Sequence, residues 1–240
     1  MKDSEFPMRL NRFLALRGFA TRRGADKLIE DKRVFVNGKP AVLGQKVEET
    51  DRVELKDHDT SGYRYLLYYK PRGIITHSPE ADETDIVTQI KKDHSIVGVF
   101  PIGRLDKDSE GLMILTNDGR ITERILNPEM EHEREYEVTI DRRVTQTFCN
   151  RLSKGVSIEG YMTKPAKAVP SKKNEFVFSI TLTEGKKHQV RRMCAALGYQ
   201  VSRLKRTRML NFTLKSLQPG AVYALKPNEV SELQQLLNLR

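Results

Sequence analysis

Apolar residues near the amino terminus recur at helical spacing. A first helix has its apolar face at positions 10, 13 and 14 and is expected to end at Gly18, since glycine commonly follows the last helical turn. A second helix has apolar positions at 25, 28 and 29, and Thr21 is suited to cap it. Arg22 and Arg23 then lie in its exposed first turn, where positive charge opposes the helix dipole. That placement indicates a use for these arginines beyond stability.

A small β ribbon is predicted after the two helices. Val34 and Val36 alternate with outward-facing residues, and Asn37-Gly38 is a strong hairpin signal. Residues 1–55 carry 12 Lys and Arg against 9 Asp and Glu. About 50 residues fold alone only marginally, so this segment is interpreted as a small basic accessory module. The polar, turn-rich stretch 56–62 is interpreted as a linker, and 63–240 as the main domain.

The main domain is rich in strand patterns. Strands are predicted at 65–69, 73–76, 112–115, 136–140, 164–169, 176–182, 199–204 and 210–214, and helices at 84–93, 119–127, 144–154, 187–197 and 227–237. Strands and helices do not alternate strictly. The pattern therefore predicts an α+β fold, with helices packed on a mixed, mainly antiparallel sheet.

Charge narrows the choice of partner. The 240 residues carry a formal net charge of +10, which favours a polyanionic partner, although composition alone does not separate RNA from DNA or an acidic membrane. Apolar runs are far shorter than the roughly 20 residues that cross a bilayer, so we expect a soluble, cytoplasmic protein. Cys149 and Cys194 show no metal-ligand spacing with the five histidines, so neither a disulfide framework nor a structural zinc site is expected.

Positive charge concentrates late in the chain. Residues 183–215 hold nine Lys and Arg against one acid, Glu184. Within this segment the apolar stripe 190, 193, 194 and 197 predicts a helix whose buried face is bordered by basic side chains. A solvated helix face is the ordinary explanation of such a charge run. The neighbouring basic stretch 203–208 shifts the balance toward nucleic-acid binding.

Two further features are candidates for chemistry. Asp106 and Asp108 lie in a glycine-bounded polar loop, 101–112, that leads into an apolar strand, and such loops often carry functional residues. The two acids are also ordinary turn residues, and nothing nearby completes a calcium loop. Tyr136 alternates with Val138 on a predicted strand, where it is either a core residue or a ring that stacks on a nucleobase.

Several segments together resemble a known family. Four strings are similar to signature motifs of RsuA-type pseudouridine synthases: GRLDKDSEGLMILTNDG at 103–119, KPRGI at 70–74, EYEVTI at 135–140 and EGKKHQVRRM at 184–193. The segment 9–39 resembles the S4 RNA-binding domain that precedes the catalytic domain in this family, with Asp31-Lys32 where a glycine is customary. The strings at 99–112 and 203–211 are closest to the F-type enzymes, which act on large-subunit ribosomal RNA.

The resemblance implies a reaction and its residues. These enzymes break the glycosidic bond of a uridine in RNA and rejoin the uracil through C5, without cofactor or metal. Asp106 occupies the place of their essential aspartate, which acts as nucleophile or as base. Arg191 matches the basic residue that pairs with it, and Tyr136 matches the tyrosine that stacks on the uracil. Arg104 resembles the arginine that fills the place vacated by the extruded nucleotide.

The resemblance also implies where the RNA backbone is held. Candidate contacts are basic side chains of both parts of the chain: Arg9, Arg12, Arg22 and Arg23 in the S4-like segment, and Lys187, His188, Arg192, Arg203, Arg206 and Arg208 in the catalytic domain. A tRNA is a candidate additional substrate beside large-subunit 23S ribosomal RNA. Three alternatives stay open: a non-catalytic RNA-binding or ribosome-assembly protein, a synthase acting on small-subunit 16S ribosomal RNA, and a metal-dependent nuclease using Asp106 and Asp108. A monomer is expected.

Overall fold

Two helices and a β ribbon form the amino-terminal module, as the hydrophobic pattern predicts. The computed structural model describes residues 6–16, 20, 22–56, 62–77, 83–214 and 216–239, excluding the side chains of residues 16, 23 and 123. The module contains β1 (Met8–Arg9), α1 (Leu10–Leu16), α2 (Arg22–Glu30), β2 (Val34–Val36), β3 (Lys39–Pro40), β4 (Lys46–Val47) and β5 (Val53–Leu55). Asn37 and Gly38 have φ of 51° and 76° and join β2 to β3, which confirms the predicted hairpin. The expected helix end at Gly18 and cap at Thr21 lie outside the described residues.

A mixed sheet forms the body of the second part of the chain. Its strands are β6 (Tyr65–Lys70), β7 (Phe100–Ile102), β8 (Ser109–Thr116), β9 (Arg134–Ile140), β12 (Lys167–Pro170), β13 (Val177–Leu182), β14 (Val201–Met209), β15 (Phe212–Thr213) and β16 (Val222–Ala224), and β10 (Ser157–Ile158) pairs separately with β11 (Tyr161–Met162). The sheet order is β12-β13-β9-β14-β8-β6-β16. Of these neighbouring pairs, β8 and β14 are parallel and the others antiparallel. The α+β prediction is confirmed.

Helices cover both faces of the central strands. They are α3 (Ile86–His94), α4 (Arg120–Leu126), α5 (Gln146–Ser153), α6 (Gln189–Ala196) and α7 (Pro227–Leu236), with a 3₁₀ turn at Pro128–Met130. Each helix lies within two residues of its predicted bounds. On β6, Leu67 packs with the cluster of α4 and α7, whereas Tyr68 packs with that of α3. Since β6 and β8 are buried on both faces, the sheet gives the loops at its edge a rigid support.

Several strand predictions needed correction. Residues 73–76 form no strand; the chain turns at Gly73, whose φ is 87°, and makes one isolated bridge between Ile75 and Asp85. The strands predicted at 199–204 and 210–214 are instead one long strand, β14, and the short β15. The basic residues between them concealed the alternation of buried and exposed positions that β14 shows. Strand β12 starts at Lys167, three residues later than predicted.

The described helices are short. Within that part of the chain, none combines the length and apolar character needed to cross a membrane.

Candidate active site

Asp106 lies in the loop between β7 and β8, close to the middle of the sheet. The loop is fixed by backbone contacts on both sides of this residue: the Leu105 N–H donates to Thr76 Oγ1 at 3.0 Å, and Thr76 Oγ1 donates to the Leu105 carbonyl at 2.6 Å. The Ser109 N–H donates to the Asp106 carbonyl at 3.0 Å, which closes the turn. Leu105 is buried beneath the loop, so its neighbour Asp106 points outward, with 39% of its side chain exposed.

The Asp106 side chain opens into a cavity of about 500 Å³. The cavity lies between this loop, strand β9 and the loop before α6. Its lining includes five more of the candidate residues from the sequence: Arg104, Tyr136, Lys187, His188 and Arg206. A volume of this size lies within the range typical of sites for small organic groups. The fold thus gathers residues spread over more than 80 positions of the chain around one carboxylate.

His188 is the side chain that contacts Asp106. Its Nε2 atom lies 3.3 Å from Asp106 Oδ1. His188 stands immediately before α6 and has a φ of 52°, a left-handed backbone conformation that is uncommon for residues other than glycine. Backbone strain of this kind persists only where the surroundings enforce it, and it is common at functional sites.

Arg191 supports the loop instead of pairing with the carboxylate. Its guanidinium donates to the Val201 carbonyl at 3.0 Å, and to the Asp108 carbonyl and Ser109 Oγ at 3.4 Å each. In the described part of the chain its nitrogens make no ion pair with Asp106. The expected contact between these two side chains is therefore absent here, because the guanidinium is engaged by the main chain at the far side of the turn.

Two buried cations lie beneath the loop. Lys70 of β6 and Arg206 of β14 both pair in register with Gly111 of β8, and they are 0% and 2% exposed. The Lys70 ammonium donates to the carbonyls of Ser109, at 2.7 Å, and Pro71, at 3.0 Å. Burial lowers the pKa of Lys70 to about 8, and the nearby Asp106 carboxylate opposes that shift.

Lys70 was not among the residues predicted from the sequence, and the prediction for Arg206 was wrong. Lys70 is the first residue of the KPRGI string, but its burial depends on strands that are distant in sequence. Arg206 was expected to hold RNA phosphate, but it is buried and its Nε donates to the Leu112 carbonyl at 2.7 Å. Its place is in the floor of the cavity, not on an exposed surface. The absence of a side chain at Gly111 allows the Arg206 backbone to lie close to β8, since an added Cβ there would be 2.3 Å from the Arg206 carbonyl oxygen.

Tyr136 forms the wall of the cavity on strand β9. The residue is half-buried, and it lies beside Arg206 on β14 and Ile180 on β13. It contacts two hydrophobic clusters, one containing Val138 and the other containing Met113, which holds its ring in place. Arg134, two residues earlier on the same face, also lines the cavity, and burial lowers the pKa of its guanidinium. The sequence analysis had not named Arg134.

A buried acid anchors the loop that carries His188. Glu184 is 5% exposed and accepts hydrogen bonds from Tyr161 Oη at 2.5 Å, Gln189 Nε2 at 2.5 Å and the Lys164 N–H at 3.0 Å. The lone acid of the basic segment therefore has a structural use. Its contacts tie the start of α6 to the β10–β11 hairpin.

The remaining candidate RNA contacts differ in whether their side chains are paired with an acid or exposed at the cavity. Arg203 pairs with Glu110 at 2.6 Å, Arg192 with Glu159 at 2.5 Å, and Arg208 with Glu133 at 2.7 Å and Glu135 at 3.1 Å. Burial opposes ionisation of Glu110, yet its hydrogen bonds from Arg203 and Tyr69 keep its pKa below the ordinary value. Lys187 and Arg104 are exposed at the cavity.

The candidates of the amino-terminal module lie on its surface or face the catalytic sheet. Arg9 and Arg22 are exposed, and Arg12 is half-buried. Arg12, Arg22 and Arg104 line a second cavity, between the module and the sheet. The Arg23 side chain lies outside the described part of the chain.

Comparison with known proteins agrees with this geometry. The profile of the RNA pseudouridylate synthase family matches residues 64–196, and that of the S4 domain matches residues 8–53. The dual-specificity RNA pseudouridine synthase RluF of Escherichia coli K12 is 39% identical over 96% of this chain and 79% of its own length. Ribosomal large subunit pseudouridine synthase B of Bacillus subtilis is 35% identical over 95% of this chain and 96% of its own.

A solved structure shares the fold as well. The crystal structure of a pseudouridylate synthase superposes with a TM-score of 0.68 at 30% identity, covering 95% of this chain and 99% of the other. The matched ranges include the loop of Asp106, the strand of Tyr136 and the start of α6. The chain therefore belongs to the RNA pseudouridylate synthase family and carries an S4 domain at its amino-terminal end.

Proposed function

We propose that this chain isomerises a uridine of large-subunit ribosomal RNA to pseudouridine, with Asp106 as the reacting carboxylate. One observation carries the proposal: the Asp106 side chain opens into a cavity that Tyr136 lines. The RNA target is supported by the relative named a large-subunit synthase and by the two RNA-related family matches. The F-type relatives are named dual-specificity enzymes, so a second substrate such as a tRNA belongs to the same proposal.

Access to the cavity requires the uridine to leave its stack. Extrusion of a nucleotide costs a few kcal/mol, and the Tyr136 ring compensates by stacking on the uracil. Arg104 stands exposed at the rim, and its planar guanidinium suits the vacated place between the neighbouring bases. Binding energy thus replaces the stacking that the RNA loses.

The chemistry needs a carboxylate that is charged and held in place. Asp106 supplies the carboxylate that attacks C1′ or removes a proton from the ribose, and it leaves C1′, or returns that proton, when C1′ bonds to C5. The bond from C1′ to N1 breaks, the uracil turns, and C1′ bonds to C5. C5 then loses its proton and N1 gains one, so the product is an isomer. Arg191 holds the loop backbone, and His188 contacts the carboxylate itself.

The RNA backbone is held from both parts of the chain. Lys187 lies beside the reacting group, while Arg9 and Arg22 lie on the S4 domain. Because the two RNA-binding surfaces are linked in one chain, binding of the RNA to one raises its effective concentration at the other. We place the division between domains in the stretch 56–62, of which residues 57–61 lie outside the described part. We further propose that the enzyme acts as a cytoplasmic monomer.

Replacement of the reacting carboxylate tests the chemistry. Asp106→Asn should abolish pseudouridine formation in ribosomal RNA in the presence of EDTA while RNA affinity stays unchanged. Asp108→Asn is the matched control, because Asp108 is exposed on the same loop and does not line the cavity. Conversion retained by Asp106→Asn would refute the assignment. RNA cleavage without pseudouridine formation, abolished by EDTA and lost equally in both variants, would favour the two-acid nuclease alternative.

The target is tested by mapping pseudouridine in cells with and without this gene. We expect loss of a modification in large-subunit ribosomal RNA. Loss confined to small-subunit ribosomal RNA would overturn the target while leaving the reaction intact.

A further inference from the structure

A second cavity lies between the S4 domain and the catalytic sheet. Its volume is about 500 Å³, equal to that of the catalytic cavity. The apolar part of its lining comes from Ala15 of α1, from Phe100 and Pro101 of β7, and from Leu126 of α4. An aromatic side chain beside aliphatic ones is the kind of surface on which a nucleobase stacks.

The rim of this interdomain cavity is cationic. Arg12 and Arg22 reach it from the S4 domain, and Arg104 from the loop of Asp106. Guanidinium groups bind phosphate and stack on bases. Apolar walls under a guanidinium rim match a nucleotide, which has a flat base at one end and a phosphate at the other.

The two cavities are adjacent. Gly103, Arg104 and Leu126 line both of them. Leu126 is 38% exposed although it is a large hydrophobic residue. An RNA strand that enters the catalytic cavity therefore passes the mouth of the interdomain cavity within a short distance of the target uridine.

We propose that the interdomain cavity is a second nucleotide subsite, which takes an unstacked base that flanks the target uridine in the RNA. This inference rests on the proposed function, because the occupant belongs to the same RNA strand. Phe100 and Ala15 contact the base, and Arg12 and Arg22 contact its phosphate. The S4 domain thereby helps to select the sequence around the target as well as to hold the backbone.

The first arm of the test fills the cavity. Ala15 is half-buried on α1, and Ala15→Trp places an indole where the base would lie. A stacked base contributes about tenfold to a hundredfold in affinity, so KM for the RNA should rise by about that factor while kcat changes little. Ala224→Trp, at an exposed position of β16, is the matched control and should leave KM unchanged. Thermal unfolding of each variant shows whether it is folded.

The second arm changes the RNA and leaves the protein intact. Each nucleotide that flanks the mapped target uridine is replaced in turn by an abasic one. With the unmodified enzyme, one flanking position should raise KM about tenfold or more, and Ala15→Trp should abolish that sensitivity. The inference is overturned if no flanking position matters, if the sensitivity is the same in Ala15→Trp, or if folded Ala15→Trp has an unchanged KM. Failure of the proposed function is distinguishable, because no pseudouridine would then form with any RNA.

Discussion

The substitution Gly111→Ala tests how the floor of the active site is built. Gly111 has a φ of +116° and lies on β8, beside Arg206 of the parallel strand β14. A methyl group there would lie 2.3 Å from the Arg206 carbonyl oxygen and 2.5 Å from its nitrogen. Both contacts are with backbone, so rotation of a side chain does not relieve them. The strands must separate, or the methyl-bearing residue must change its conformation.

The expected loss of stability has two parts. Holding a residue other than glycine at such a φ costs about 1–3 kcal/mol. Forcing a methyl group into a closed site costs about 1–3 kcal/mol more, and here the obstacle is backbone, which places the cost at the upper end. The sum of about 2–6 kcal/mol is a large share of the roughly 5–15 kcal/mol by which a protein is usually stable.

Denaturant unfolding of paired variants measures the difference. Gly44→Ala is the matched control, because Gly44 has a φ of +77° and no atom within 4 Å of an added Cβ. It should lose only the conformational part, about 1–3 kcal/mol. Gly111→Ala should lose at least about 1 kcal/mol more than this control, since the contact with backbone is added. Equal losses in the two variants would show that β8 and β14 adjust freely, and the account of the floor would be wrong.

Three further predictions concern charge. Because burial lowers the pKa of Lys70 to about 8, the unfolded chain binds more protons than the folded one between that pKa and the ordinary value of 10.5. The free energy of unfolding of the unmodified protein, relative to that of Lys70→Met, should therefore rise by about 2 kcal/mol between about pH 7.5 and 9.5. Denaturant unfolding at a series of pH values measures this, and a difference between the two proteins that stays constant with pH would contradict it. His188→Asn tolerates the positive φ but loses the contact with Asp106. The kcat should therefore fall about tenfold to a hundredfold while thermal stability stays unchanged. An unaltered kcat would show that His188 does not position the Asp106 carboxylate. RNA affinity should fall steeply with salt, and a flat plot of log K against log salt would refute electrostatic binding.

Local patterns were sufficient for the helices of the catalytic domain and for one hairpin. The five helices of the catalytic domain were predicted within two residues, because each shows a periodic apolar stripe that its own sequence carries. Asn37-Gly38 likewise specified a hairpin from two adjacent residues that tolerate positive φ. The signature strings then located Asp106 and Tyr136, which the structure brings to one cavity.

The tertiary structure decided which side chains meet. His188 contacts Asp106 across 82 positions of the chain because α6 packs beside β14 and Glu184 anchors the loop before it. Arg206 looks like a surface cation in a basic stretch, yet it is buried, and its Nε donates to the Leu112 carbonyl of the neighbouring strand β8. Contacts of this kind depend on which strands become neighbours. Periodicity along one segment carries no information about the residue opposite, and burial of a charge is settled only by its partners in space.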